Sequence, residues 1–221
     1  MNISSRLNQI RDGLPENVRL VAVSKFHTPP VIREAYDAGQ RIFGESRVQE
    51  LILKQQQLPD NIEWHFIGHL QTNKVKQIAS FIHTIHAVDS LRLMKEVNKE
   101  AANFNRKVHV LLQVHIAQEE EKFGFSFDEI EELGKTKEFD SFPNLIFSGL
   151  MGMGTFTDDE KQIRKEFKSL SSFFRKLKRD YFSVNDDFKE LSMGMSDDYP
   201  IAVEEGSTLI RVGSKIFGNR T

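Results

Sequence analysis

The sequence of 221 residues has no cysteine. Disulfides, thiolate metal ligands and cysteine nucleophiles are therefore all excluded. It has no long apolar run either. Its hydrophobic stretches are a handful of residues each, against the ~20 needed to cross a bilayer. An excess of positive charge is also missing. Thirty Lys+Arg against 32 Asp+Glu leave a net charge of −2, whereas a binder of phosphate backbones needs clustered excess cation. No nucleic-acid or membrane partner is expected. The opening stretch MNISSRLNQIRDGLPENVR lacks the apolar centre of a secretory signal, so a cytoplasmic location is expected. No linker rich in Pro, Gly or Ser divides the chain, which reads as one domain over residues 1–221. Hydrophobic residues make up 39%, and with the glycines this reaches the low edge of ordinary globular composition.

What is present is an alternation of two kinds of segment. Short β-branched apolar runs bounded by turn residues predict buried strands, and longer polar stretches with helical spacing lie between them. The predicted strands are Leu20–Ser24, Arg41–Gly44, Glu63–Gly68, Thr84–Val88, Lys107–Ile116, Leu145–Met151, Leu191–Met193 and Thr208–Val212. Helices are predicted from Pro29-Pro30 to Gly39, through VQELILKQQQ, NKVKQIASF and LRLMKEVNKEAANF, over Phe127–Lys137 and Asp158–Tyr181, and briefly after Asp197-Asp198. Strands alternating with helices imply a parallel sheet. Eight such units favour closure into an α/β (β/α)8 TIM barrel, which typically takes ~250 residues; an open doubly wound sheet is the alternative. The acidic stretch Glu119-Glu120-Glu121 reads as a solvated loop.

Three places could carry chemistry. Lys25 follows the first strand, at the end that forms the active-site face of a barrel. Alternation puts it on the side of Val21 and Val23. It is either a partly desolvated amine able to form a Schiff base with an aldehyde or a lysine pointing to solvent. The segments Leu191-Ser192-Met193-Gly194-Met195-Ser196 and Arg211-Val212-Gly213-Ser214 end strands seven and eight, where barrels often hold phosphate. Small residues there let backbone amides reach phosphate oxygens, or they are ordinary loop residues. Arg211 shares a face with Leu209 and Gly213. If buried it needs a partner, either a pyridine nitrogen or a carboxylate such as Glu204 or Glu205. A Schiff-base lysine beside a phosphate cradle describes pyridoxal 5′-phosphate.

The segments LVAVSK, RIFGESRVQE, EWHFIGHLQTNKVK, GLMGM and LSMGMSDDY…AVEEGSTLIRVGSKIFG resemble the pyridoxal phosphate homeostasis protein family, itself similar to the N-terminal barrel domain of alanine racemase. The resemblance runs from about residue 18 to 219. It implies a single-domain barrel that holds pyridoxal phosphate as a Schiff base on Lys25. It further implies phosphate contacts from Ser192, Gly213 and Ser214 with the nearby backbone of Met193 and Gly194, and Arg211 facing the pyridine nitrogen. Ser46 stands where the family has an asparagine beside the cofactor ring, His69 where GPLQ is usual, and His115-Ile116-Ala117 where Asn-Ile-Ser is usual. His65 shares a face with Ile67 and is either near the cofactor or a satisfied core histidine.

The seven histidines do not form a metal set by spacing. His65 and His69 fall on a strand and its loop, and His83/His86 and His109/His115 lack a helical frame, so no metal is expected. Three functions fit: a non-catalytic carrier that stores, supplies or buffers pyridoxal phosphate; a racemase of amino acids; or a class I aldolase. Racemisation needs a base on each face of the substrate carbon. Tyr36, Tyr181 and Tyr199 are the only tyrosines, and none reads as the opposing base, which in racemases a second domain supplies. The carrier is favoured. Free amino acids and apo-enzymes that use the cofactor are the expected partners, and a monomer is expected.

Overall fold

The computed structural model describes residues 2–118 and 123–218. After an opening helix α1 (Ile3–Asp12) the chain alternates: β1 (Arg19–Val23), α2 (Pro29–Asp37), β2 (Ile42–Glu45), α3 (Val48–Gln55), β3 (Glu63–Phe66), a 3-10 segment (Thr72–Gln77), β4 (Thr84–Val88) and α4 (Leu91–Asn103). It continues with β5 (Val108–Gln113), α5 (Phe127–Lys135), a second 3-10 segment (Glu138–Ser141), β6 (Leu145–Met151), α6 (Glu160–Asp180), β7 (Glu190–Ser192), α7 (Tyr199–Glu204), β8 (Leu209–Val212) and α8 (Ser214–Phe217).

Every strand pairs in parallel with the next, and β8 returns to pair with β1 through Arg19↔Leu209, Leu20↔Ile210, Val21↔Arg211 and Ala22↔Val212. The sheet is thus a closed (β/α)8 barrel, and the open alternative is excluded. Alternation along each strand sorts the side chains into two layers. Leu20, Ala22, Phe43, Trp64, Phe66, Ile85 and Val212 face the helices and join the large outer core. Val21, Ala87, Leu111, Met151 and Leu209, with Ile42 packed on them, fill the inside of the barrel.

Strands β4 to β7 depart from regularity where this matters for polar groups. The register between β4 and β5 shifts between Ile85 and Val88. This irregularity turns two consecutive residues inward, because Ala87 joins the inner apolar cluster while His86 bonds inner residues of β3 and β7. A second shift falls between Val110 and Leu111, opposite Gly149. Gly149 has φ +149°, and a Cβ there would lie 1.7 Å from the Glu190 carbonyl oxygen, so this bulge accepts no side chain.

Five elements differ from the sequence reading, and two of them, α8 in a stretch expected to run on from the eighth strand to Gly218 and the second 3-10 segment, have no counterpart in it. Helix α1 is unforeseen. It is capped by Asn2, whose side chain accepts from the Ser5 N–H at 2.9 Å, and it buries only Leu7 and Ile10. The segment after β3 is a 3-10 turn with no capping side chain rather than an α-helix. Strand β5 ends at Gln113, short of Ile116; Val114 still donates to the Met151 carbonyl at 2.8 Å and also bridges Phe125. Glu119-Glu120-Glu121 lies outside the described residues.

Candidate functional site

The C-terminal ends of β1, β2, β7 and β8 form one mouth of the barrel. Lys25 stands half-buried just past β1, followed by Phe26 with φ +70°. A non-glycine residue in that region is strained and is held there by its surroundings. The holding groups are visible. The Phe26 N–H donates to the Glu50 carboxylate at 2.9 Å. The Ser24 hydroxyl donates to Glu45 Oε1 at 2.5 Å. Lys54 Nζ, from α3, reaches the Ser24 carbonyl at 3.0 Å, Glu45 Oε1 at 2.8 Å and Glu50 Oε2 at 3.2 Å. All three ammonium hydrogens of Lys54 are thereby engaged, and that buried lysine is no rival to Lys25 as a nucleophile. Burial pushes the Glu45 carboxyl above its ordinary range by more than Lys54 and Ser24 pull it back. Burial also raises Glu50, but the Phe26 N–H and Lys54 outweigh it and hold that group below its usual value.

Across the mouth, Arg211 is 4% exposed. Its Nη1 donates to Ser192 Oγ at 2.6 Å and its Nη2 to the Gly152 carbonyl at 3.0 Å. Glu204 and Glu205 are not its partners: both pair with Arg164, at 2.6 and 2.8 Å. Desolvation brings the Arg211 guanidinium down to about 10, against the pull of Asp198; it stays cationic at neutral pH. Two of its five N–H donors are spent on the protein bonds described, which leaves three for a ligand.

Ser192 continues inward. His86 Nδ1 lies 2.9 Å from Ser192 Oγ, and His86 Nε2 lies 2.8 Å from His65 Nδ1. Arg211, Ser192, His86 and His65 therefore form a continuous polar column through the barrel interior. Burial holds both histidines well below their ordinary range, with nearby cationic and imidazole groups adding to the effect, so both rings are neutral.

The remaining predicted residues divide. Gly194 has φ +89°, and a Cβ there would sit 2.6 Å from the Ala202 Cβ. Its carbonyl accepts from the Arg211 N–H at 2.9 Å. The Gly213 N–H donates to Ser196 Oγ at 3.3 Å, and a Cβ on Gly213 would meet the Val23 carbonyl at 3.1 Å, so the loop after β8 lies directly on the strand that precedes Lys25. Ser214 is exposed at the start of α8. Ser46 is half-buried past β2, in contact with Gly68, whose absent side chain makes room for it. Met193 behaves differently: its side chain is fully buried in the outer core and its N–H is spent on the Leu209 carbonyl, so it offers the mouth no donor. His65 reaches the mouth only through His86 and itself lines a cavity at the opposite, N-terminal end of the barrel. Sequence reasoning missed the Glu45–Lys54–Glu50 clamp and His86. The glutamates and lysine sit at helical and strand spacings that look like solvated faces. His86 points inward with Thr84 by ordinary alternation, but β4 is buried on both faces, so its sequence does not mark which face is the inner one.

Fold and mouth together define a barrel with an amine at the end of β1 and a buried arginine on β8. The family model described as "Alanine racemase, N-terminal domain" matches residues 1–221. A pyridoxal phosphate homeostasis protein of Aquifex aeolicus is 38% identical over 232 residues, covering 100% of this chain and 99% of that protein. PipY of Synechococcus elongatus, solved without PLP, superposes with a TM-score of 0.92 at 36% identity, covering 98% of this chain and 100% of that one. The same protein with PLP bound gives 0.88 at 35% identity, with the same coverage. The chain belongs to the pyridoxal phosphate homeostasis proteins within the alanine racemase N-terminal domain family.

Proposed function

We propose that this protein binds pyridoxal phosphate at the C-terminal mouth of its barrel and serves the homeostasis of that cofactor, holding and supplying it without turning over amino acids. The observation that carries the reading is the PLP-bound PipY structure, similar to this chain over 98% of its length. The groups at the mouth match the chemistry. When bound, the cofactor supplies an aldehyde, a phosphate and an electron-withdrawing ring. Lys25 provides the amine for the aldehyde carbon, and the clamp on Ser24 and Phe26 fixes where that amine stands. Ser214 and the Gly213 turn offer a hydroxyl and close backbone approach for the phosphate, and Ser46 contributes a hydroxyl beside the ring.

Arg211 decides between carrier and catalyst. Its guanidinium donates hydrogen bonds and keeps its proton at neutral pH, so a ring nitrogen facing it receives no proton and withdraws electrons weakly. Loss of a Cα proton from a bound amino acid is then slow. The tyrosines offer no second base: Tyr36 bonds Asn61 at 2.8 Å, Tyr181 packs on Gly134, and the Tyr199 ring lies 5.0 Å from the Lys215 ammonium. Free amino acids and apo-enzymes are the partners this chemistry admits.

Reduction with borohydride followed by peptide mapping tests the reading. The cofactor is expected on the peptide carrying Lys25, with Lys25→Ala folded and unlabelled. Equal labelling of another lysine in Lys25→Ala would remove Lys25 from its role. In deuterium oxide, wild-type protein should leave the Cα hydrogens of added amino acids essentially unexchanged; rapid exchange with inversion would make it a racemase.

A further inference from the structure

The end of the barrel opposite the mouth holds a second constellation. A cavity of about 590 Å³ opens there, lined among others by Arg19, Glu63, His65, His83, His109 and Glu190. Glu63 and His65 are two apart on β3 and so share the inward face. His83 immediately precedes β4, and the β3–β4 register pairs His65 with Thr84, which sets His83 beside them. One ligand atom from each of Glu63, His65 and His83 lies within 4.8 Å of the others. His65 Nε2 stands 3.9 Å from Glu63 Oε2, and His83 Nε2 stands 3.8 Å from Glu63 Oε1.

Two observations beyond proximity point to an occupant. Among the described residues, only three buried side-chain polar atoms lack a hydrogen-bond partner, and two of them are His65 Nε2 and Glu63 Oε2, which face each other. His65 itself is 1% exposed, so its unpartnered Nε2 is not satisfied by bulk water, and such atoms are costly to leave unmet. The second observation is the arrangement behind the candidate ligands. His65 Nδ1 is bonded to His86 and His83 Nδ1 to Thr84 Oγ1, both at 2.8 Å. Imidazoles that bind metal through one nitrogen are usually oriented in this way through the other.

We propose that Glu63, His65 and His83 form a binding site for a divalent metal ion of the zinc class, at the N-terminal end of the barrel and separate from the cofactor mouth. Two imidazoles and a carboxylate are a donor set suited to zinc, with a fourth position left for water from the open cavity. The charge of the cavity favours a cation: four carboxylates, Glu16, Glu63, Asp187 and Glu190, line it against Arg19 and Lys189. Arg19, the cation nearest the site, is drawn aside by Glu190 at 2.9 Å, against 3.7 Å to Glu63. Bonds of ~2.0–2.1 Å require the ligand atoms to draw closer than they stand here. The Glu63 and His83 side chains, 35% and 39% exposed, are free to make that movement while His65 stays fixed in the interior.

Occupation has a consequence for the column. A metal on His65 Nε2 obliges Nδ1 to carry the ring hydrogen, which then donates to His86 Nε2. His86 in turn donates from Nδ1 to Ser192 Oγ. The ion thereby sets the direction of the hydrogen bonds as far as Ser192 Oγ, which then accepts from His86 on one side and from Arg211 on the other.

The test is titration of the full chain with Zn²⁺ by calorimetry, together with X-ray absorption at the zinc edge. The expected result is one ion per chain with a nitrogen- and oxygen-only shell. His83→Ala, at a half-exposed position outside the core, should fold normally and bind at least roughly 100-fold more weakly, the upper end of what even outer-shell changes cost. Glu63→Gln should weaken binding in the same direction. His69→Ala, at an exposed histidine bonded to Asp89, should bind as the wild type does. Absence of stoichiometric binding would assign the gap to a bridging water and overturn the proposal. Unchanged affinity in His83→Ala, or loss of binding in His69→Ala, would overturn it equally.

Discussion

Single residues at the mouth do two jobs, and the two are separable by measurement. Ser192 Oγ is where the Arg211 guanidinium and the His86 ring meet. Ser192→Ala leaves one donor on Arg211 and one polar atom on His86 buried without a partner, each costing about 1–3 kcal/mol. Urea unfolding should therefore show a loss of at least that size, with the barrel still formed. Ser214 is exposed and touches no core, so Ser214→Asp should leave the unfolding midpoint within about 0.5 kcal/mol of wild type. The same change sets a carboxylate against the cofactor's phosphate, and like charges in a partly dry site repel strongly. Retention of pyridoxal phosphate, read by its absorbance after gel filtration, should be lost. Retention at the wild-type level would move the phosphate away from the loop after β8.

At the scale of elements, the clamp between β1, β2 and α3 is the device that presents Lys25. Glu45 is completely buried and Lys54 nearly so, and removing one member of such a pair typically costs about 3–5 kcal/mol. Lys54→Met should be destabilised by that order at neutral pH. The sign of its pH dependence follows from Glu45. Its folded value is already raised by burial, and loss of Lys54 raises it further. Above that folded value the variant bears an unpaired buried anion. As pH falls through it toward the ordinary carboxylate range the group takes up a proton and the penalty shrinks. Unfolding followed from pH 8 to pH 5 should show the gap between variant and wild type narrowing; a constant gap would mean that Glu45 is already neutral in the wild type.

The clamp also shows what the sequence displays and what it conceals. Strand positions were legible because short β-branched runs between turn residues seldom form anything but buried strands; Thr84–Val88 and Leu145–Met151 fall where predicted. Lys25, Arg211 and the Gly213 turn were legible because strand ends in a barrel have an assigned face. Helix α1 was not, since it buries two side chains and its stability comes from contacts distant in sequence: Arg6 bonds the Ile216 carbonyl and Arg11 the Ala38 carbonyl. His86 and the Glu63–His65–His83 group were hidden for the same reason. Their alignment depends on the register between strands, which leaves no mark on a single segment.

For the whole molecule the decisive seam is the pairing of β1 with β8, which joins the two ends of the sheet and closes the barrel. The proposed cofactor contacts straddle it. Lys25 follows β1, while Arg211, Gly213 and Ser214 lie on and after β8, and Gly213 rests on Val23 across the seam. A ligand bound to both sides exists only while the barrel is closed, so it binds the native state and not the unfolded chain. Mass action then adds ~2.7 kcal/mol at a hundred times Kd. For a chain of this size that corresponds to a rise in Tm of roughly 5–10 °C. Lys25→Ala, keeping the phosphate and ring contacts but not the covalent link, should need far more cofactor for the same rise. Hydrogen exchange adds the spatial test: bound cofactor should slow exchange most at amides of β1 and β8, and less in β4 and β5 across the barrel. A saturated protein, judged by its absorbance, with no change in Tm and no added protection along the seam would place the cofactor on a part of the surface that does not report on closure.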